Sequence, residues 1–518
     1  MLIRLNSTQL RNNGITMSYI TKETICAIAT ASGTAAMAIV RMSGEDSLKI
    51  ALSRFAGKSK NITSENIIPN KMYYGEFIDF DGKVIDDVMF TFFKAPHSYT
   101  GENSVEIVCH GSPYIQNKIL EILIKSGARL AKGGEYSMRA FINNKMDLTQ
   151  AEAVADLISS QTEAEHRIAM NQLKGGFSKE LQILRSKLLD LTSLMELELD
   201  FSEEDVEFAD RSKLNNIVEE ALNHIGKLTD SFRLGNTIKK GIPVAIVGDT
   251  NAGKSTLLNA LVGEERAIVS DIAGTTRDTI EETMNINGKM FRFIDTAGIR
   301  ETKDTIEKIG IERAFKKITE ADIILGILDL SKSQDQFMTS ANQIIANVNL
   351  LNQKLILVFN KIDLNNSFLF MDSQDILDML RYSIENNIEK NGGYMLDEYK
   401  YSTNGSDCHD IRNLIKYKFI SAKKEGDIEK LKNEIEFYAR DLNVGENDVL
   451  VTNLRHYEAL VKAAESLEKV KEGMQSGLSI EFVAQDLKAV LYHLGEITGE
   501  ISSTEVLNNL FGRFCIGK

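Results

Sequence analysis

The sequence predicts an α/β and α protein. A strand-rich α/β domain comes first, then a helical bundle built from two separated stretches, with a second α/β domain inserted between them. Three observations carry this. Residues 242–247 are an apolar, β-branched run, followed at once by Gly248-x-x-x-x-Gly253-Lys254-Ser255 and a helical pattern over 256–262, the strand–turn–helix order of a phosphate-binding unit. Amphipathic stripes lie on both sides of that unit: Leu181, Leu184, Leu188, Leu191 and Met195 before it, and Tyr457, Leu460, Ala464 and Leu467, then Val483, Leu487, Val490 and Leu494, after it. Each stripe needs a partner helix, and one discontinuous bundle satisfies both. Pro69, Pro96 and Pro113, three of the four prolines, fall in the first quarter of the chain, where short runs alternate with turns.

Taken in order, residues 1–16 hold Arg4 and Arg11 and no acid. That is faintly transit-peptide-like, but the segment is short and Asn-rich rather than amphipathic, so it reads as an extension upstream of a start at Met17. The first domain spans 17–146. It has strands at 25–29, 37–42 and 104–109, a hairpin of 72–80 with 84–93 turning at Asp81-Gly82, and a helix at 113–125 opened by Pro113. The first bundle segment is 147–238, where Thr149-Gln-Ala-Glu152 has capping-box spacing and opens a long helix. Its acidic stretch 200–210 lacks calcium-loop spacing and reads as a solvated loop. The inserted domain is 239–440, with an insertion at 364–416 that carries one helical pattern, 374–385. The second bundle segment, 441–518, breaks at Ser476-Gly477.

Composition narrows the class. A net charge of −14 argues against a protein that coats nucleic acid, without excluding a local basic patch. Cys26, Cys109, Cys408 and Cys515 are far apart, which fits free thiols in a reducing, cytoplasmic location better than a disulfide or zinc framework. No run of 18 apolar residues is present, so no membrane partner is expected.

The chemistry-bearing motifs arrive in the order of a Ras-like P-loop G domain. Glycines let the loop curl its N–H groups toward phosphate oxygens, Lys254 adds a full positive charge, and Ser255 offers a hydroxyl to Mg²⁺. Gly274-Thr-Thr-Arg-Asp278 supplies hydroxyls, Thr276 among them, to a loop that folds over the metal and the γ-phosphate. Asp295-Thr-Ala-Gly298 follows a strand at 291–294, itself joined by the Asn287-Gly288 turn to 279–286. A strand at 354–359 leads into Asn360-Lys-Ile-Asp363, whose carboxylate accepts from guanine N1–H and the N2 amine, a donor pair that adenine lacks. A strand at 418–420 then leads into Ser421-Ala-Lys423. The expected nucleotide site is therefore Asn251, Ala252, Gly253, Lys254, Ser255 and Thr256; Gly274, Thr275 and Thr276; Asp295, Thr296, Ala297 and Gly298; and Asn360, Lys361, Asp363, Ser421, Ala422 and Lys423. Ile299 stands where small Ras-type GTPases place a water-orienting glutamine, and Arg277 and Arg300 are positive groups by position only.

Further segments carry a resemblance: Ile39-Val-Arg-Met-Ser-Gly44, Ser98-Tyr-Thr-Gly-Glu102 with Glu106, Arg139-Ala-Phe-Ile-Asn-Asn-Lys145, Asp147-Leu-Thr-Gln-Ala-Glu-Ala153, Glu307-Lys-Ile-Gly-Ile-Glu-Arg313 and the terminal Phe514-Cys-Ile-Gly-Lys518. With the G motifs, these resemble the MnmE (TrmE) family of tRNA-modifying GTPases, in the TrmE-Era-EngA-YihA-Septin-like group, from about residue 24 to the end. The resemblance implies a homodimer whose first domain binds a folate, 5-formyl- or methylene-tetrahydrofolate, through Arg41, Glu106, Lys145 and Lys518. It implies that Ser270, Asp271, Ile272 and Ala273 also line the nucleotide, with K⁺ at Asn251, Ser270, the Ile272 carbonyl and Thr275 in place of an arginine finger, and Glu307 as the acid that orients the hydrolytic water. It also implies a heterotetramer with the flavoprotein MnmG (GidA), which brings FAD, acting on C5 of the wobble uridine, position 34, of certain tRNAs. Departures from the family pattern are Ser32–Ala36 in place of a Gly-Arg-Gly-Gly segment, Cys109 for a glycine, Gly133 for a proline and Ser270 for a threonine. A ribosome assembly factor of the Era or Der type is the alternative, but the region after residue 439 has no cation-framed Gly-x-x-Gly loop. A dynamin-like scaffold would want a basic amphipathic or apolar insertion, and none is present.

Overall fold

The computed structural model describes residues 23–58, 62–200, 211–263, 281–294, 318–350, 352–364, 380, 384–387, 415–439, 445, 449–512 and 514–517. They form two compact units. One comprises the chain up to Ile158, Ala169–Thr229 and everything from Leu454 on; the other comprises Ser159–Ile168 and Asp230–Asn453.

The first unit contains a seven-stranded sheet of order β3-β4-β5-β6-β2-β1-β7, made from β1 (Ile25–Ile28), β2 (Met37–Ser43), β3 (Phe55–Gly57), β4 (Met72–Ile78), β5 (Val84–Phe93), β6 (Ser104–His110) and β7 (Arg129–Leu130). Side chains alternate as a half-covered sheet requires. Ala38, Val40 and Met42 of β2 are buried with Val105 and Ile107 of β6 and with Ile119, Ile122 and Leu123 of a helix. That helix is α2 (Pro113–Lys125), which follows the short α1 (Ser47–Leu52). The other face of β2 and β6 carries Arg41 and Glu106, directly opposite in register. The 72–93 hairpin forms as expected, closed by Asp79 Oδ1 accepting from the N–H groups of Asp81 and Lys83.

After α3 (Glu135–Ile142) the expected long helix is three: α4 (Leu148–Ser159), α5 (Glu163–Leu173) and α6 (Gly176–Asp200). The last break is at Gly175, whose φ of 82° is left-handed. The capping box also sits two residues earlier than the sequence spacing suggests. Asp147 Oδ1 accepts from Gln150 N–H at 2.9 Å, and Gln150 Oε1 accepts from Asp147 N–H at 3.0 Å. A carboxylate at 147 outcompetes the Thr149 hydroxyl, which donates to the same Asp147 oxygen. Glu152 is thereby released for a different role.

The leucine stripe of α6 is buried as predicted, and so are Leu214, Val218, Ala221 and Ile225 of α7 (Arg211–Lys240). The acidic stretch 201–210 lies outside the described residues. Further along the chain, α11 (Leu454–Ser476) and α12 (Ile480–Thr498) pack along each other, and α12 packs on α6. Gly477, at φ 68°, ends α11. Val483, Leu487, Val490 and Leu494 face inward as expected. In α11 Leu460 and Leu467 are buried as expected, but His456 and Ala463 are buried in place of Tyr457 and Ala464, which are half-exposed. A buried acid, Glu152, draws the neighbouring His456 inward. The chain ends in α13 (Thr504–Phe511), after which Ile516 bridges to Gly133 and Cys515 O accepts from Gly134 N–H.

In the second unit a six-stranded sheet has the order β13-β12-β11-β8-β10-β9. The strands are β8 (Ile242–Gly248), β9 (Glu281–Ile286), β10 (Lys289–Ile294), β11 (Ile323–Asp329), β12 (Lys354–Asn360) and β13 (Ile415–Phe419). All pairings are parallel except the β9–β10 hairpin, which turns at Asn287 and Gly288 with both φ positive. Val244 and Ile246 face α8 (Lys254–Val262) and α10 (Glu425–Tyr438). Ala245 and Val247 face α9 (Gln334–Asn347). Burial on both faces explains why β8 reads as a continuous apolar run. Leu380 and Ile384, from the 364–416 segment, are buried in the same core, and Asn387 Nδ2 donates to Ile345 O and Val348 O.

Candidate functional site

The loop after β8 is shaped by its sequence. Gly248, at φ 149°, lies so close to β11 that a Cβ would stand 2.3 Å from Ile327 O. Asn251 and Gly253 also have positive φ, 63° and 98°. A Cβ on Gly253 would stand 2.3 Å from Asn360 Nδ2, so only glycine permits that approach. The curl leads directly into α8, whose first turn exposes Ser255 and Thr256. Lys254 Nζ donates to Gly248 O at 2.8 Å and Asp249 O at 2.7 Å, which puts the ammonium within its own loop.

Asn360, 2% exposed, joins three motifs. Its Nδ2 donates to Ala252 O at 2.8 Å, and its Oδ1 accepts from Ala422 N–H at 3.0 Å. The Gly-rich loop, the Asn-Lys-Ile-Asp turn and the Ser-Ala-Lys turn are thus held together by one amide. Asp363 is exposed, and the Ser421 hydroxyl, followed by its own backbone N–H and the charges of Lys423 and Lys424, holds its carboxyl below the usual carboxylate range. The acid therefore stays an acceptor at neutral pH. Lys361, at φ 67°, donates to Asp329 Oδ2 at 2.6 Å.

Asn251–Thr256, Asn360, Lys361, Asp363 and Ser421–Lys423 accordingly converge at the C-terminal ends of parallel strands, where a doubly wound sheet opens a crevice. The segments holding Ser270–Thr276, Arg277, Asp295–Gly298, Ile299, Arg300 and Glu307 lie outside the described residues, as does Lys518.

A second constellation stands on the outer sheet face of the first unit. Arg41 Nε and Nη2 donate to Glu106 Oε1 at 2.9 and 2.8 Å, with both side chains about a quarter exposed. The guanidinium lies 5.8 and 5.9 Å from the ring centres of Tyr99 and Tyr136. Lys145 Nζ donates to Pro96 O at 3.1 Å, and its stem runs beside Gly101, so it borders the loop that carries Tyr99. Gly517 packs on Ile28, one register step from the strand position paired with Arg41. Among the described residues no group of three or more His, Cys, Asp or Glu is placed to hold a metal.

Asp249, Asp329, Lys332 and Ser340, which bond to one another or to Lys361 beside the first site, and the Glu152–Arg455–His456 cluster are marked by no functional motif in the sequence. Only the acid ending the apolar β11 run offers a local sequence signal.

Comparison with known proteins follows the same division. A model of the GTP-binding protein TrmE N-terminus matches residues 24–145, and one of the MnmE helical domain matches residues 148–515. The tRNA modification GTPase MnmE of Bacteroides fragilis strain YCH46 is 47% identical over 498 residues, covering 96% of this chain and all of the relative. Those of Bacteroides thetaiotaomicron and Flavobacterium johnsoniae are 48% and 45% identical over 498 and 506 residues, with 96% of this chain and all of each relative covered. Among solved structures, a GDP-bound GTP-binding protein of Sulfolobus solfataricus aligns at 18% identity over 50% of this chain and 68% of its own, TM-score 0.26. The FeoB G domain of Methanococcus jannaschii aligns at 24% over 39% and 98%, TM-score 0.25. By matches that span nearly its whole length, the chain belongs to the MnmE (TrmE) family of tRNA modification GTPases.

Proposed function

We propose that the chain is a potassium-dependent GTPase that acts as a homodimer with the flavoprotein MnmG (GidA). Together they install an aminomethyl or carboxymethylaminomethyl group at C5 of the wobble uridine of certain tRNAs, in the cytoplasm. The observation that carries the nucleotide part is the Asn360 amide, bonded at once to Ala252 and Ala422. It ties a phosphate cradle to a guanine-reading carboxylate, Asp363. Ser255 and Asn251, both exposed at the mouth of the cradle, are oxygen donors suited to Mg²⁺ and K⁺ respectively, with Thr276, Ser270, Ile272 and Thr275 completing the sets. The two cations supply positive charge to the polyphosphate when bound. Lys254 leaves its loop carbonyls for a phosphate oxygen, and Glu307 holds the attacking water.

On the first unit, Arg41, Glu106 and Lys145, with Lys518, fit a folate. A carboxylate suits the pterin donors and the cations suit the glutamate tail. The quarter exposure of Arg41 and Glu106 leaves both able to turn toward a ligand. The folate would bring the one-carbon unit, and FAD would come with the partner. The functional boundaries are those of the sequence reading, 17–146, 147–238, 239–440 and 441–518. No helix among the described residues is long and apolar enough to cross a membrane.

Nucleoside analysis of tRNA from cells lacking the protein tests the proposal. Loss of the C5-modified wobble uridine, restored by the wild-type chain and not by Lys254→Ala, is expected. An unchanged nucleoside profile overturns it.

A further inference from the structure

The segment from the end of β11 into α9, residues 329–340, belongs to none of the nucleotide-binding motifs, yet it touches both ends of the site. At the base end, Asp329, 8% exposed, accepts from Lys361 Nζ through Oδ2 at 2.6 Å, and from Ser331 N–H and Oγ–H through Oδ1 at 2.9 and 2.5 Å. Burial alone would raise its carboxyl; the Lys361 and Ser331 bonds outweigh that and hold it below the usual range. Lys361 needs such an anchor. Its φ of 67° is a conformation that a β-carbon disfavours, and Asp363 follows two residues later. At the phosphate end, Lys332 Nζ donates to Asp249 Oδ2 at 2.8 Å, and Ser340 Oγ donates to the same oxygen. Asp249 follows Gly248 in the Gly-rich loop, so its negative charge lies beside the place where the polyphosphate binds.

Resting on the guanine-nucleotide reading above, we propose that residues 329–340 are a positioning brace with two separable actions. Lys332 and Ser340 neutralise and hold Asp249, so that the phosphate loop retains its ligand. Asp329 holds Lys361, and through it the base-reading carboxylate of Asp363. The segment thereby sets the lifetime of bound nucleotide at one end and base discrimination at the other. The first action has a definite sign. Without Lys332 the Asp249 carboxylate loses its bonded cation and keeps only the charge of Lys254, which then serves carboxylate and phosphate alike, and removing the carboxylate's charge as well frees Lys254 for the phosphate.

Stopped-flow dissociation of fluorescently labelled GDP from the full chain, with competition by GDP and IDP, tests both actions. Lys332→Met should raise the dissociation rate about tenfold, the scale of one charge-assisted hydrogen bond. The double variant Lys332→Met with Asp249→Asn should return it to within about threefold of wild type, which a merely structural role would not do. Asp329→Asn should lower the preference for GDP over IDP several-fold, because inosine lacks the 2-amino donor that Asp363 reads. Lys332→Met should leave that preference unchanged. If Asp329→Asn does not fold, Ser331→Ala, which removes only one bond to the same carboxylate, should give a smaller fall of the same sign. A wild-type rate in Lys332→Met, a double variant no slower than the single, or an unchanged GDP to IDP preference in the folded Asp329 or Ser331 variant overturns the inference. Failure of the wild-type chain to bind labelled GDP would instead remove the guanine-nucleotide reading on which it rests.

Discussion

Glu152→Gln isolates one buried charge that joins the start of the bundle to its last helices. Glu152 is 6% exposed and His456 1%. His456 Nε2 lies 2.6 Å from Glu152 Oε2, and Arg455 Nε and Nη2 donate to Oε1 and Oε2 at 3.1 and 2.9 Å. The same guanidinium donates to Glu496 O and Ile497 O at the end of α12. Burial alone would raise the carboxyl, but the His456 and Arg455 charges outweigh it and hold it at about 2, against an ordinary 4.5. By linkage that depression is worth about 3 kcal/mol at neutral pH, the lower end of the ~3–5 kcal/mol for breaking a buried pair by removing one partner. Glutamine keeps the shape and a hydrogen bond, so a loss of about 2–3 kcal/mol is expected.

Calorimetry of the full chain is the assay. GDP stabilises only the unit that binds it, so the transition that GDP does not shift reports on Glu152, and about 5–10 °C should be lost there at pH 7. The sign with pH is fixed by the lowered pKa. The stabilisation is complete above the ordinary glutamate value and fades as pH falls from 4.5 toward 2. The gap between wild type and variant should therefore close in that window. Equal melting at pH 7, or a gap that persists unchanged at pH 2.5, refutes the reasoning.

Three other outcomes follow from the proposed nucleotide site. Lys254→Ala removes the charge within the Gly-rich loop and should abolish GTP binding or turnover, read by equilibrium binding and phosphate release. Asp363→Asn should shift preference from GTP toward xanthosine triphosphate, since the amide can donate to the xanthine oxygen; competition between the two measures it. Glu307→Ala should leave GTP affinity near wild type while slowing single-turnover hydrolysis by about 10² or more.

Much of the nucleotide site was legible in the chain because its code is local. Gly248, Asn251 and Gly253 specify torsions that few residues adopt, and the apolar runs on either side specify strand and helix by their period. The amphipathic stripe of α12 was legible for the same reason. The start of the α11 stripe lies at His456 and not at Tyr457, and the cap of α4 lies two residues early, because both depend on competition between nearby polar groups: Asp147 against Thr149 for the cap, and the pull of Glu152 on His456 for the stripe.

The family and the expected phosphate- and base-reading motifs are legible in the chain alone, each motif in a run of fewer than ten residues. Which groups bond to those motifs is settled by packing in three dimensions. Asn360 meets Ala252 across 108 residues and Glu152 meets His456 across 304. Pairings at such distances leave no periodicity in the chain. They arise when burial strips water from a polar group and it must find a partner among whatever packing has brought near.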